Sequence, residues 1–135
     1  MNIIDLDGIV IVTGTDTDAG KTVTTAVIAA ALKQAGKDVL IIKPYQTGLA
    51  PEEPGDVHEA GRLSGVDADN LLEYVRCPEP LAPTTSAARA GMTIPSIEEV
   101  ATCIIIDSDG HDVTLVEGAG GVLVGLDNDG AGVLD

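Results

Sequence analysis

The stretch VIVTGTDTDAGKTV, from Val10 to Val23, leaves few folds open to this chain. Ile9 to Val12 are consecutive apolar residues, the make-up of a buried strand. A polar loop of small residues follows, and Gly20-Lys21-Thr22 open an apolar helix. Strand, loop and helix in that order build a phosphate-binding P-loop. Backbone N–H groups of the loop and of the helix N-terminus converge on an anion, and the helix dipole adds partial positive charge. Lys21 is placed to reach the β/γ-phosphates and the Thr22 hydroxyl to sit on Mg²⁺. The usual pattern puts its first glycine where this chain has Thr15, and Gly14 lies one residue earlier. A tight turn with a surface lysine would not explain an apolar strand that feeds a helix through so polar a loop.

Beyond the loop, Thr22 to Ala35 carries Val23, Ala26, Val27, Ala30 and Ala31 at helical spacing, with Gly36 as the stop. Asp38 to Ile42 reads as a second buried strand, ending in Lys43-Pro44-Tyr45-Gln46-Thr47-Gly48. Strand, helix and strand in so short a span imply a βαβ unit and a parallel sheet. After a loop from Leu49 to Gly55, a short helix is expected from Asp56, with Val57, Ala60 and Leu63 on one face and Gly65 beyond its end. Asp67 to Pro83, broken by Pro78 and Pro80, reads as irregular. Thr84 to Ala90 looks like a helix start, and Ser96 begins another helix with Glu98 and Glu99 in its first turn. Val113 to Val116 is a third buried strand, ending at Glu117 and running into Gly118-Ala119-Gly120-Gly121. Val122 to Leu126 is a short fourth apolar segment before an acidic tail, Asp127 to Asp135. No linker or repeat divides residues 1–135, which read as a single P-loop α/β domain of helices around a mainly parallel sheet.

In an open parallel sheet, ligands bind outside the carboxyl ends of the strands. Each strand here ends in residues suited to phosphate chemistry: the P-loop, then Lys43 and Thr47, then Glu117 with a glycine-rich turn. A carboxylate closing an apolar strand occupies the place of a Walker-B acid and suits Mg²⁺ directly or through water.

Charge narrows the partners. With 22 acidic residues against 7 basic, the net charge is −15. A field of that sign repels nucleic acid and anionic membranes, so any nucleotide must be held by a local cluster of lysine, N–H groups and metal. Cys77 and Cys103 lack metal-site spacing and read as reduced, packed thiols, and His58 and His111 as surface or cap residues. Asp5 and Asp7 interrupt the apolar start, so no signal peptide is expected, and no apolar run reaches membrane-spanning length. A cytoplasmic protein is expected.

TGTDTDAGKT from Thr13, KPYQTG from Lys43 and VEGAGG from Val116, in this order and spacing, resemble dethiobiotin synthetase of biotin biosynthesis. The segments Asp56 to Leu63 and Ala82-Pro83-Thr84 add to the likeness. The resemblance implies a three-layer P-loop NTPase-like fold and an ATP- and Mg²⁺-dependent ligase. Such an enzyme joins CO₂ to 7,8-diaminononanoate and closes the ureido ring, through a carbamate and a carbamic–phosphoric anhydride, giving dethiobiotin, ADP and phosphate. It also implies roles. Lys21 and Lys43 are catalytic, and Thr22, Asp56 and Glu117 hold the metal. Asp18, Ala19, Gly20, Lys21, Thr22 and Val23, with Glu117, Gly118, Ala119 and Gly120, contact the nucleotide. Thr47 contacts the substrate, and the Thr84–Ala90 helix start receives its carboxylate. The family usually shows Ser-Pro-His after the Pro-Thr segment, where this chain has Thr85-Ser86-Ala87. The complete family fold is a homodimer and continues past the equivalent of Asp135, so C-terminal strands are expected to be missing here, with weak phosphate binding and little turnover.

Three other readings share these residues. A cobyrinic-acid-type amidoligase uses a similar sheet, but KPYQTG and the Asp56 segment argue against it. A partitioning or membrane-cycling ATPase carries a signature lysine early in the loop, where this chain has Asp16, of opposite charge. The third is a non-catalytic nucleotide-binding remnant.

Overall fold

Alternation along Val39 to Ile42 sorts the core onto two faces of a sheet. The computed structural model describes residues 2–135. Val39 and Ile41 point to one side, where they meet Ala26, Ala29 and Leu32 of helix α1 (Lys21–Gln34) and Val57 and Ala60 of helix α2 (Asp56–Ser64). Leu40 and Ile42 point to the other, toward Ile104 of helix α4 (Ile97–Asp107). A strand covered on both faces reads as one continuous apolar run, as this one does.

Four strands make the sheet: β1 (Gly8–Val12), β2 (Val39–Thr47), β3 (Leu71–Cys77) and β4 (Val113–Glu117). Their order is β1-β4-β2-β3, and every pairing is parallel. This is the helix–sheet–helix α/β arrangement of P-loop proteins. Helix α3 (Pro83–Ala90) contributes Ala87 to a further cluster around Tyr45, Cys77, Val100 and Leu126. No helix among the described residues is long and apolar enough to cross a membrane.

Register positions the site. Because β4 lies between β1 and β2, Val12 pairs with Glu117 while Ile42 pairs with Val116. The start of the P-loop, Glu117 and Lys43 therefore come level at one edge of the sheet.

Several local expectations give way. Of residues 67–83 only 78–82, around the two prolines, are irregular: a 3₁₀ turn at Ala68–Asn70 leads into β3. Its Glu73 and Arg76 hide the strand pattern, and they are tolerated because β3 is an edge strand and the two bind each other at 2.7 Å. Strand β2 does not stop at Ile42; it runs to Thr47, paired with β3 after β4 has ended. Pro44 fits there, where its missing N–H faces no β4 partner. On α1 the buried side is Lys21, Thr25, Ala26, Ala29 and Leu32, whereas Val23 and Val27 are exposed. Alanine, valine and threonine together run all round this helix, so spacing alone does not select its inner face. Leu63 of α2 and Cys103 of α4 also face solvent, while Cys77 is buried. Ser96 caps α4 in a reciprocal box with Glu99, and the His58 ring accepts from the Gly55 N–H at the start of α2.

Candidate functional site

The P-loop is drawn into shape by its own lysine. Gly20 sits at the N-cap of α1 with φ +88°, a conformation that glycine adopts without strain, and it brings no side chain to cap the helix. The first-turn N–H groups are thereby left for an anion. Lys21 is only 8% exposed, and its Nζ donates to the Asp16 carbonyl at 2.9 Å. Asp18 holds φ +61°, unusual for a residue with a Cβ.

Opposite the loop stands Lys43, 3% exposed. Its Nζ lies 3.1 Å from Glu117 Oε1 and 3.0 Å from Asp56 Oδ2, and donates to the Gly118 carbonyl at 3.1 Å. Glu117 is 1% exposed rather than a solvated strand end. Its Oε1 also accepts from Thr22 Oγ1 at 2.8 Å, while Oε2 is buried with no partner among the described residues. Asp56 opens α2 as its first residue; its N–H donates to Gln46 Oε1 at 2.8 Å, which pins the helix start to β2.

These groups surround one pocket of about 410 Å³. Of the residues expected at the site, Asp18, Gly20, Lys21, Thr22, Val23, Lys43, Thr47, Asp56, Glu117, Ala119 and Gly120 line it. Ala19 and Gly118 do not, although the Gly118 carbonyl holds Lys43. The start of α3 is not on its wall either. Thr17 of the P-loop is also on the wall, and sequence reasoning assigned no role to Tyr45, Gln46 and Leu49, which complete the lining. They lie inside or next to KPYQTG, and only the continuation of β2 shows which way they point. Burial, followed by the charges of Asp127 and Glu99, pushes the Tyr45 phenol up to about 12, so it stays protonated and is no base at neutral pH.

Whether the donors suit a divalent metal is a matter of their chemistry. Among the described residues no three His, Cys, Asp or Glu side chains converge. Mg²⁺ does not ask for that many, because one or two carboxylates plus substrate phosphates and water complete its octahedron. Glu117 and Asp56 are hard oxygen donors beside the Thr22 hydroxyl, and the orphaned Glu117 Oε2 is an acceptor without a donor. The set fits Mg²⁺.

Comparison with known proteins agrees with this architecture. The AAA domain family model matches residues 9–132. The chain is similar to the ATP-dependent dethiobiotin synthetase BioD of Rhodococcus jostii, 51% identical over 127 residues, which are 94% of this chain and 54% of that protein. The BioD proteins of Streptomyces avermitilis and Streptomyces coelicolor are 49% and 46% identical, over 89% and 94% of this chain and 50% and 52% of theirs. The chain thus spans about half the length of the curated relatives it matches.

Proposed function

This chain belongs to the AAA domain family, and from that premise we propose that its pocket serves an ATP-dependent ligase reaction of the dethiobiotin synthetase type. One observation carries the reading: a buried lysine, Lys43, bridges Glu117 and Asp56 on the wall that the P-loop residues Lys21 and Thr22 also line. The substrates are ATP, CO₂ and 7,8-diaminononanoate.

Phosphoryl transfer asks a protein for position and charge more than for a nucleophile. The P-loop, Asp18 to Val23, binds the triphosphate, with Lys21 turning from the Asp16 carbonyl to the phosphates. Thr22, Asp56 and Glu117 would hold Mg²⁺, which supplies charge neutralisation at the phosphates. Lys43 stabilises negative charge as the carbamate oxygen, formed from one amine and CO₂, attacks the γ-phosphorus and ADP leaves. The second amine then attacks the carbamoyl carbon and expels phosphate, closing the ring. Thr47 hydrogen-bonds the diamine, and Gly120, on the pocket wall beside Ala119, lets the ligand approach the backbone closely. We read residues 1–135 as one domain, the protein as cytoplasmic, and the complete fold as a homodimer.

Phosphate release with the diamine and bicarbonate tests this, run beside Lys21→Ala and Lys43→Ala. Release that needs the diamine and falls in both variants supports the ligase. ATP–Mg²⁺ binding with no diamine-dependent release would instead favour the non-catalytic reading.

A further inference from the structure

Arg76 is one of only 7 basic residues in a chain of net charge −15, and it is not on the pocket wall. Its side chain is 17% exposed and tied up on two edges. Nε and Nη2 donate to Glu73 Oε1 and Oε2 at 2.7 and 2.8 Å. Nη1 donates to the carbonyls of Ala50 and Glu53, both at 2.6 Å. Those carbonyls belong to the loop that leads into Asp56. Gly55 lies against the same group: a Cβ there would meet Glu73 Oε2 at 2.5 Å, Arg76 Nη2 at 2.8 Å and Gln46 Oε1 at 3.1 Å. Gln46, whose Oε1 accepts from the Asp56 N–H, is the register partner of Arg76 across the β2–β3 pair.

We infer that Arg76 is a positioning residue that fixes Asp56 against Lys43 by fastening the 48–55 loop to β3. The reading rests on the proposed ligase site, since it makes Asp56 the group being placed. Asp56 is the more exposed partner of Lys43, at 39% against 2% for Glu117, and so the one that needs placing from outside. A planar fork is required, because one edge must meet a carboxylate while a third nitrogen collects two carbonyls; a lysine is a point donor. Arg76 is off the pocket wall, so it acts through the loop alone.

The test pairs amide hydrogen exchange over 50–56 with an Mg²⁺ titration of a fluorescent ATP analogue, on parent, Arg76→Ala, Arg76→Lys and Asp56→Asn. Arg76→Ala is expected to speed exchange over 50–56 while strand β4 stays protected. It should raise the Mg²⁺ half-saturation about tenfold and leave metal-free nucleotide affinity unchanged, as loss of an orienting partner does. Arg76→Lys should recover part of both effects, and Asp56→Asn should shift the Mg²⁺ titration without touching exchange. Parent-like exchange in Arg76→Ala overturns the inference, as does faster exchange with an unmoved titration. If Arg76→Ala unfolds, the same readouts on Arg76→Lys decide. If the parent binds no nucleotide, the ligase reading fails, and exchange alone then judges the loop: a change confined to 50–56 upholds Arg76 as its fastener, and none overturns it.

Discussion

Thr22 and Glu117, 95 residues apart in sequence, meet at 2.8 Å, Oγ1 donating to Oε1. The bond ties the start of α1 to the end of β4, and Lys43 approaches the same oxygen at 3.1 Å. One carboxylate oxygen thus carries two donors while its twin, Oε2, has none among the described residues. A buried acceptor left bare costs about 1–3 kcal/mol. A fold that tolerates that loss at the mouth of a P-loop has the makings of a cation site.

Glu117→Ala should therefore harm the protein twice. It removes one of two carboxylates from a buried lysine, and breaking such a pair costs roughly 3 kcal/mol, read in the urea midpoint. Glu117→Gln keeps the shape and an acceptor for Thr22, so it should fold better than Glu117→Ala and still weaken Mg²⁺-dependent nucleotide binding. Parent-like stability of both variants would refute the account of Lys43 as a charge held by Glu117.

Lys21 and Lys43 are expected to separate by stability. Among the described residues Lys21 Nζ bonds only the Asp16 carbonyl, so Lys21→Ala should leave unfolding within about 1 kcal/mol of the parent while weakening nucleotide binding. Lys43→Ala leaves Glu117 and Asp56 facing each other without their cation, so its effect on folding should be larger. On the ligase reading, diamine-dependent phosphate release should fall roughly 100-fold or more, as when a preorganised charge is lost. Retained release in Lys43→Ala would remove it from the chemistry.

How much of this could be read without coordinates follows from the periodicity of each element. β4 and the first half of β2 are apolar runs buried on both faces, whereas β1, expected to be buried, is an edge strand whose Ile9 and Ile11 are exposed; the polar residues that end or follow these three strands line the pocket. β3 escaped detection because an edge strand carries Glu73 and Arg76 instead of an apolar alternation. The inner face of α1 escaped because its alanines, valines and threonines together run all round the helix. Gln46 and Arg76 gain their meaning from a β2–β3 register that no local pattern encodes. Asp127, assigned to an acidic tail, is 4% exposed and organises the turns around it.

The charge excess predicts a salt effect of definite sign. At net −15, self-repulsion opposes the compact state more than the expanded one. Raising NaCl from about 0.01 M to about 1 M shortens the screening length from about 30 Å to about 3 Å. The thermal midpoint should climb over that range, most steeply at the low end. A flat or falling midpoint would mean that local ion pairs such as Arg62–Glu59 and Arg89–Glu79 outweigh the global field.

Asp127 sets the response to acid. Its Oδ2 accepts from the Ile97 N–H at 2.9 Å, and Oδ1 accepts from the N–H groups of Asp129 and Ala131, each at 3.0 Å. These donors, the Ile97 N–H foremost, hold its carboxyl below the usual carboxylate range. In the unfolded chain the group titrates near about 3.9. Because the folded value is the lower of the two, the carboxylate's contribution is fully present above about pH 4 and is lost as pH falls through the folded value. Asp127→Asn should therefore be less stable than the parent at neutral pH, and the gap should close in acid. Urea midpoints from neutral pH down to the limit of folding test this. A gap that widens as pH falls would show that Asp127 is not held as an anion between α4 and the 127–131 turn.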